Sequence, residues 1–485
     1  MKLKELLDNV TYKLIQGSME TEVQSIAYDS RKVVRDSLFV CIKGFKIDGH
    51  RFIEDAVSQG AVAILVENED ISVPSNVVVI QVTSTREALS KVASAFYGHP
   101  AERMNVVGIT GTNGKTSTNM IISSILETLG FRTGVVTTIE IKRGNQVIAT
   151  DRTTHTTPES LDLQAIFSDM KQEGVSHLIM EATSMGLELH RVDDCNFHIG
   201  VFTNLTQDHL DDHGTMENYL KAKMKLFKMC KHGVINMDDP VSEMIKEEAT
   251  CSIMTYGINS EADVRALNIR MMPEGSNFAL SIYGEEREVR YRIPGTFSVY
   301  NAMAAAGVCS LLGLTIDEIV RGLESVEGVK GRIERIPSPK GYSVFIDFAH
   351  SPDALQNILQ TIRQIATGKM ITVFGCGGDR DKTKRPIMGE IAGKISDYCI
   401  ITSDNPRSEV PLLIIEDIEA GLTTTGCDYI KIEDRTSAIE YALQIAGTDD
   451  VVVICGRGHE NVQELKDRVI HLDDAEIVHR YIINT

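Results

Sequence analysis

No stretch of the 485-residue chain approaches the roughly 18 uninterrupted apolar residues that a bilayer-crossing helix needs, so no membrane span is expected. The N-terminus, MKLKELLDNVTYKL, is amphipathic and lacks an apolar core followed by a small-residue cleavage site, so it does not read as a signal peptide. Cys-x-x-Cys is absent. The nine cysteines are scattered singly from Cys41 to Cys455, which excludes a disulfide framework or structural zinc and suits reduced thiols in a cytoplasmic protein. Basic charge is short: 49 Lys and Arg against 68 Asp and Glu leave a net charge of −19, which speaks against a nucleic-acid partner. Local anion pockets remain open to such a chain, so nucleotides are not excluded. Low-complexity tracts and repeats of 20–50 residues are also missing.

What remains is a globular composition, 42% hydrophobic and 24% charged, in a chain too long for one core. About 150 residues per domain predicts about three domains. Residues 1–100 alternate apolar runs (SLFVCI, AVAILVE, NVVVIQV) with helical segments such as FIEDAVSQG, as a small α/β domain does. YGHPAERM reads as a linker into a central domain, 101–330. There NVVGIT, HLIME and IGVFTNL alternate with helices as in a parallel sheet, and residues 250–293 look like antiparallel strands. In 331–485 the strands YSVFIDF, KMITVFG, YCIITSD and VVVICG each run into a polar or glycine-rich loop, a second doubly wound pattern.

VVGITGTNGKTSTN, at 106–119, places Gly108, Gly111 and Gly114 three apart, then Lys115, Thr116 and Ser117 at the start of a helix. A strand, a glycine loop and a helix N-terminus together offer backbone N–H groups to a phosphate. Lys115 can bridge outer phosphates, and Thr116 or Ser117 can ligate Mg²⁺. Glu181 closes HLIME where a carboxylate could serve the same metal. TNLTQDHLDDHG adds Asn204, Asp208, His209, Asp211, Asp212 and His213, as helix caps or as metal ligands. In the third block, the loops GCGGDRDKTKRP, SDNPR and GRGHE follow strands and should converge on one cleft. Arg380, Arg385 and Arg407 suit carboxylates, which guanidinium forks bind in pairs of hydrogen bonds. Together these features describe an ATP-using enzyme with a carboxylate-bearing partner.

The order and spacing of VVGITGTNGKTST, TNLTQDHLDDHG, PGTFSVYNAMAA, GRIERI, DFAHSPDAL, GCGGDRDKTKRP, DNPR and GRGHE resemble the Mur ligase family over essentially the whole chain. The resemblance implies an α/β fold of three domains: one for the UDP substrate, a central P-loop ATPase with a parallel sheet, and a C-terminal Rossmann-like amino-acid-binding domain. It implies an ATP-dependent amide ligase of peptidoglycan precursor synthesis that passes through an acyl phosphate. YDSRKVVRDSLFVCIKGFKIDGHRFI and DNPR point to the member adding meso-diaminopimelate to UDP-MurNAc-L-Ala-D-Glu. Two Mg²⁺ ions, and CO₂ to carbamylate a lysine, complete the implied cofactors, in a cytoplasmic monomer.

The resemblance also implies roles for single residues. Gly111, Thr112, Asn113, Gly114, Lys115, Thr116 and Ser117 hold the ATP phosphates, and Asn301, Arg332, Asp347 and His350 surround the rest of the nucleotide. Glu181, His209, Thr116 and a carbamylated Lys223 serve the metal, with Lys115, Glu181, His209 and Lys223 as the catalytic set. Spacing does not distinguish Lys223 from Lys221 and Lys225. Ser30, Thr156, Thr157, Thr183, Arg191 and Lys223 meet the nucleotide-sugar substrate, while Arg385, Asp404, Asn405, Arg407, Gly456 and Glu460 meet the acceptor. Three positions depart from the family pattern: Met185 for a histidine, Leu189 for a glutamine and Arg457 for a lysine. A sibling ligase using L-lysine or another carboxylate, and a silent precursor-binding paralogue, stand as alternatives.

Overall fold

The computed structural model describes every residue except 45–46, 69–70, 145, 149–155, 209, 273 and 485. The chain forms two compact units. One holds residues 1–111, 126–235 and 239–254, and the other holds 112–125, 236–238 and 255–485. The cut falls inside the glycine loop, after Gly111.

In the first unit, β1 (Lys13–Gln16), β2 (Ser25–Ala27), β3 (Ser37–Val40), β4 (Ala61–Val66) and β5 (Val78–Gln81) form a sheet of order β1-β5-β4-β3-β2. Only β1 runs antiparallel to its neighbour. The β-branched run AVAILV in β4 is buried on both faces, as a parallel strand between two layers requires. The expected linker YGHPAERM is no loose tether: Pro100 and Ala101 are buried in a 3₁₀ turn entered through His99 at φ 50°.

The same unit carries β6 (Asn105–Thr110), β7 (Thr133–Val136), β8 (Ile141–Arg143), β9 (Gln146–Val147), β10 (His177–Glu181), β11 (Phe197–Phe202) and β12 (His232–Asn236). Their order is β12-β11-β6-β10-β7-β8-β9. Parallel pairing sets Glu181 beside Ile109 and Phe202 beside Thr110, so three strands end at one level around the glycine loop.

In the second unit, β13 (Ser252–Gly257), β14 (Val264–Met272), β15 (Gly275–Ile282) and β16 (Glu285–Tyr291) make the strands expected over 250–293. The pairs β14–β15 and β15–β16 are antiparallel, but β13 and β14 are parallel, Tyr256 lying beside Val264. Next come β17 (Glu334–Pro337), β18 (Ser343–Asp347), β19 (Met370–Phe374), β20 (Tyr398–Ile401), β21 (Asp428–Lys431) and β22 (Val451–Cys455), in the order β17-β18-β22-β19-β20-β21. Helices 352–365, 384–395 and 411–422 cover one face of this sheet, and 435–445 with 474–484 cover the other. Because β22 inserts between β18 and β19, the loops leaving β22, β19 and β20 are neighbours.

Candidate functional site

Glycine is required at two places in the phosphate-type loop. A Cβ at Gly111 (φ +142°) would lie 1.9 Å from Thr203 Oγ1, and one at Gly114 (φ +85°) would lie 2.5 Å from Asn301 Oδ1. Both positive φ angles are also ones that other residues rarely adopt. The loop is therefore a close-fitting cradle of main chain, as phosphate binding requires.

In the first unit, the buried Glu181 accepts at Oε1 from Thr138 N and at Oε2 from Thr138 Oγ1, each at 3.1 Å. A carboxylate oxygen has a second lone pair, so the group remains a competent hard-cation ligand. Thr138 Oγ1 meets Thr156 Oγ1 at 3.0 Å, while Thr157 Oγ1 donates to Glu181 O at 2.9 Å and meets Thr183 Oγ1 at 3.0 Å. Arg191 Nη1 donates to Thr157 O at 3.2 Å, and its Nε lies 2.9 Å from the buried Glu159, which also faces Arg86 at 3.3 Å. Thus Glu181, Thr156, Thr157, Thr183 and Arg191 share one network. Thr183 also caps the short helix Ser184–Glu188, which carries Met185 and is followed by Leu189. Ser30 opens the 3₁₀ turn Ser30–Lys32 at the N-terminal sheet.

The structure separates the three lysines of helix Met216–Met224 and its cap. Lys221 pairs with Glu217 and Lys225 with Glu188, both at 2.6 Å and toward solvent. Lys223 is 1% exposed, lies 4.2 Å over the Tyr219 ring and donates to Gly111 O at 2.8 Å. Of the histidine-rich loop, His213 is buried against Ser184 Oγ at 2.9 Å, a packing role, and Asp211 and Asp212 stand in the first turn of helix Leu210–His213. His209 lies outside the described residues. Among those described, no three His, Cys, Asp or Glu side chains gather into a metal cage. A donor set of one carboxylate, one histidine, a hydroxyl and a modified lysine would not produce such a cage.

In the second unit, helix Lys115–Thr128 begins with Lys115, whose Nζ donates to Thr112 O at 2.7 Å, and the Thr116 side chain is buried one residue on. Ser117 follows, half-buried. Asn113 Nδ2 donates to Asp353 Oδ2 at 2.9 Å, at the start of helix Pro352–Ile365. Asn301 Oδ1 accepts from Thr118 Oγ1 at 3.3 Å. Its neighbour Tyr300 donates to Asp238 at 2.6 Å. Burial opposes the charge on Asp238, but donors from Ser260, Tyr300, Asn259 and Ile258 bring its pKa down to about 2.

Gly331 and Gly458 pack backbone to backbone, and a Cβ at Gly331 would meet His459 N at 2.1 Å. Arg332 lies over Phe348 at 4.6 Å, and the Phe348 ring is 5.0 Å from His459 and 4.7 Å from His350. Burial, then Arg332 and Lys330, push His459 down to about 4, so it is neutral at neutral pH. Burial raises Asp347 against the pull of Arg332 and of the N–H groups of Ile333 and Ala349. Arg332, Asp347 and His350 therefore do share one neighbourhood.

The three expected loops converge. Gly378 N donates to Asn405 O at 2.9 Å, Arg407 Nη1 donates to Gly378 O at 2.9 Å, and a Cβ at Gly456 would lie 2.5 Å from Asp404 Oδ2. That oxygen is buried and has no hydrogen-bond partner among the described residues. Asn405 Nδ2 donates to Glu460 Oε2 at 2.9 Å. Burial, then Asp404, push the Glu460 carboxyl up, while Arg457, Asn405 and Arg407 oppose the rise. Arg407, half-buried, pairs with Glu464 at 2.8 Å. Arg385 is fully buried and gives its fork to Glu409 and Asp417 at 2.8–3.1 Å, while Arg380 is exposed and reaches only Asp379 O among the contacts described. Of the three arginines suited to a carboxylate ligand, only Arg407 stands at the convergence with part of its side chain open to solvent.

Sequence reasoning missed Thr138, Glu159, Asp353 and Asp238, each of which holds an expected site residue or its neighbour. Asp353 reads as a helix-start acid, and Glu159 stands just ahead of a helix, so neither carries a signal beyond capping.

Models of three domains match this chain: the Mur ligase family catalytic domain over residues 22–97, the Mur ligase middle domain over 109–309, and the Mur ligase glutamate ligase domain over 331–458. A protein of Caldanaerobacter subterraneus subsp. tengcongensis named UDP-N-acetylmuramoyl-L-alanyl-D-glutamate--2,6-diaminopimelate ligase is 48% identical, the match covering 99% of this chain and 98% of that one. A second of that name, numbered 2, from Clostridium acetobutylicum is 43% identical over 99% of this chain and 100% of its own. A solved structure of a ligase of that name superposes with a TM-score of 0.73 at 29% identity, covering 100% of this chain and 99% of the other.

Proposed function

Because the chain belongs to the Mur ligase family, we propose that it joins meso-diaminopimelate to UDP-MurNAc-L-Ala-D-Glu using ATP, in the cytoplasm. The substrate's D-glutamyl carboxylate attacks the γ-phosphorus of ATP, forming an acyl phosphate and releasing ADP. The acceptor's amine then attacks the acyl carbon, a proton leaves the nitrogen, and phosphate departs from the tetrahedral intermediate. Lys115 and the loop amides hold the triphosphate, and Arg191 with Thr156, Thr157 and Thr183 orients the nucleotide-sugar peptide. Glu181, Thr116, His209 and Lys223, the last carbamylated by CO₂, would hold two Mg²⁺ ions, whose charge offsets the repulsion between carboxylate and triphosphate. Carbamylation replaces the buried ammonium of Lys223 with an anionic oxygen donor, which suits a lysine fixed at the glycine loop.

The observation that carries the acceptor side is Asp404 Oδ2. A buried carboxylate oxygen without a donor carries a desolvation penalty, and the ammonium of an amino acid would satisfy it. Arg407 is the cation for the acceptor's distal carboxylate. Purified protein with ATP, Mg²⁺ and UDP-MurNAc-L-Ala-D-Glu is expected to release ADP only when meso-diaminopimelate is added. Release at full rate with L-lysine in its place would overturn the acceptor assignment.

A further inference from the structure

Arg457, where the family resemblance leads one to expect lysine, lies in the loop after β22 with 0% of its surface exposed. Its Nη1 donates to Asn405 Oδ1 at 2.9 Å, and its Nη2 donates to Val462 O at 2.5 Å and Leu472 O at 3.1 Å. One rigid plane therefore binds three chain segments. Asn405 Oδ1 also accepts from Glu464 N at 2.9 Å. Two donors on one atom fix which end of the Asn405 amide is oxygen, so its NH₂ must face Glu460 Oε2. Glu460 itself stands 3.7 Å from Arg457 Nη1.

We infer that Arg457 is a positioning residue for the acceptor: it locks the Asn405 amide and, through it, aims the Glu460 carboxylate at the acceptor's ammonium. The inference rests on the acceptor reading of this pocket. Asp404 and Glu460 are two carboxylates in one buried place, and the groups facing them are Arg457, Arg407, Arg435 and Asp474. Arg435 is neutralised by Asp474 through two hydrogen bonds of 2.7–2.8 Å, and Arg407 is shared with Glu464. Arg457 makes no carboxylate contact as close as those pairs, so its charge is available to keep Glu460 ionised. A lysine keeps the charge but is a point donor without the fork, and cannot span the same three acceptors in one plane.

The test compares wild type, R457K and R457M under the full three-substrate assay, with KM for each substrate and the pH profile of kcat/KM for meso-diaminopimelate. R457M is expected to raise the acceptor KM about a hundredfold and R457K about tenfold, with the ATP and nucleotide-sugar KM values unchanged. The acid limb of the profile is expected to move to higher pH in R457M and to return most of the way in R457K, because Glu460 protonates more easily without the guanidinium. Wild-type acceptor KM and acid limb in both variants would overturn the inference, as would an equal fall in kcat in both with every KM unchanged. If R457M does not fold, R457K alone decides. A wild-type enzyme inactive with meso-diaminopimelate would instead remove the acceptor reading itself.

Discussion

The glycine loop and the acceptor loops both sit beyond the C-terminal ends of parallel strands, yet they are built from different materials. Around Gly111 the main chain does the shaping: its carbonyl fixes Lys223, and no side chain is tolerated at positions 111 or 114. Around Asp404 the shaping falls to a lattice of guanidinium and carboxylate groups, Arg407 with Glu464 and Arg457 with Asn405 and Glu460, laid over a single close-packed glycine, Gly456. The two designs should fail differently. A backbone cradle with one essential side chain loses function nearly all at once, whereas a side-chain lattice loses it in steps and changes selectivity on the way.

The largest effect is expected at Lys223. Lys223→Ala removes the metal ligand proposed for the carbamate, and turnover should fall by about 10³-fold or more, with added bicarbonate giving no recovery. Near-normal kcat would show that the carbamate plays no part and that the main-chain side of the contrast needs no side chain. Next comes Arg407→Ala, which removes the one half-exposed cation at the convergence of loops. It should weaken meso-diaminopimelate by about 2–5 kcal/mol while leaving KM for ATP alone. An unchanged acceptor KM would mean that Arg407 serves only Glu464.

How much of this was legible depends on whether the signal was local. Parallel strands ending in glycine or polar loops marked the α/β layers, and the convergence of three loops followed from their positions at strand ends. Spacing could not choose among Lys221, Lys223 and Lys225, because all three lie within five residues of one helix and its cap. Burial decides it, and burial depends on what packs from β6. Nor could sequence show that Arg385 is consumed by Glu409 and Asp417, since both partners lie more than 20 residues downstream. The β13–β14 pair read as antiparallel because short strands in a row look like hairpins. Only the pairing register reveals the parallel crossing.

The smallest effect tests whether ionic lattices are confined to the acceptor side. Glu159 is buried in the first unit between Arg86, on helix Thr85–Phe96, and Arg191, whose other nitrogen holds Thr157 O. Glu159→Gln keeps the shape and removes the charge, leaving two arginines face to face across a neutral amide. Both arginines are only about one-seventh exposed, so the loss is more than a surface pair would give but less than a fully buried one, on the order of 1–2 kcal/mol. Thermal unfolding should show that loss, and KM for UDP-MurNAc-L-Ala-D-Glu should rise severalfold as Arg191 swings off Thr157, with the acceptor KM unmoved. If stability falls while that KM holds, Glu159 only joins helix Thr85–Phe96 to its neighbours. If both move, the nucleotide-sugar side carries its own small ionic lattice, and the contrast with the acceptor loops becomes one of degree.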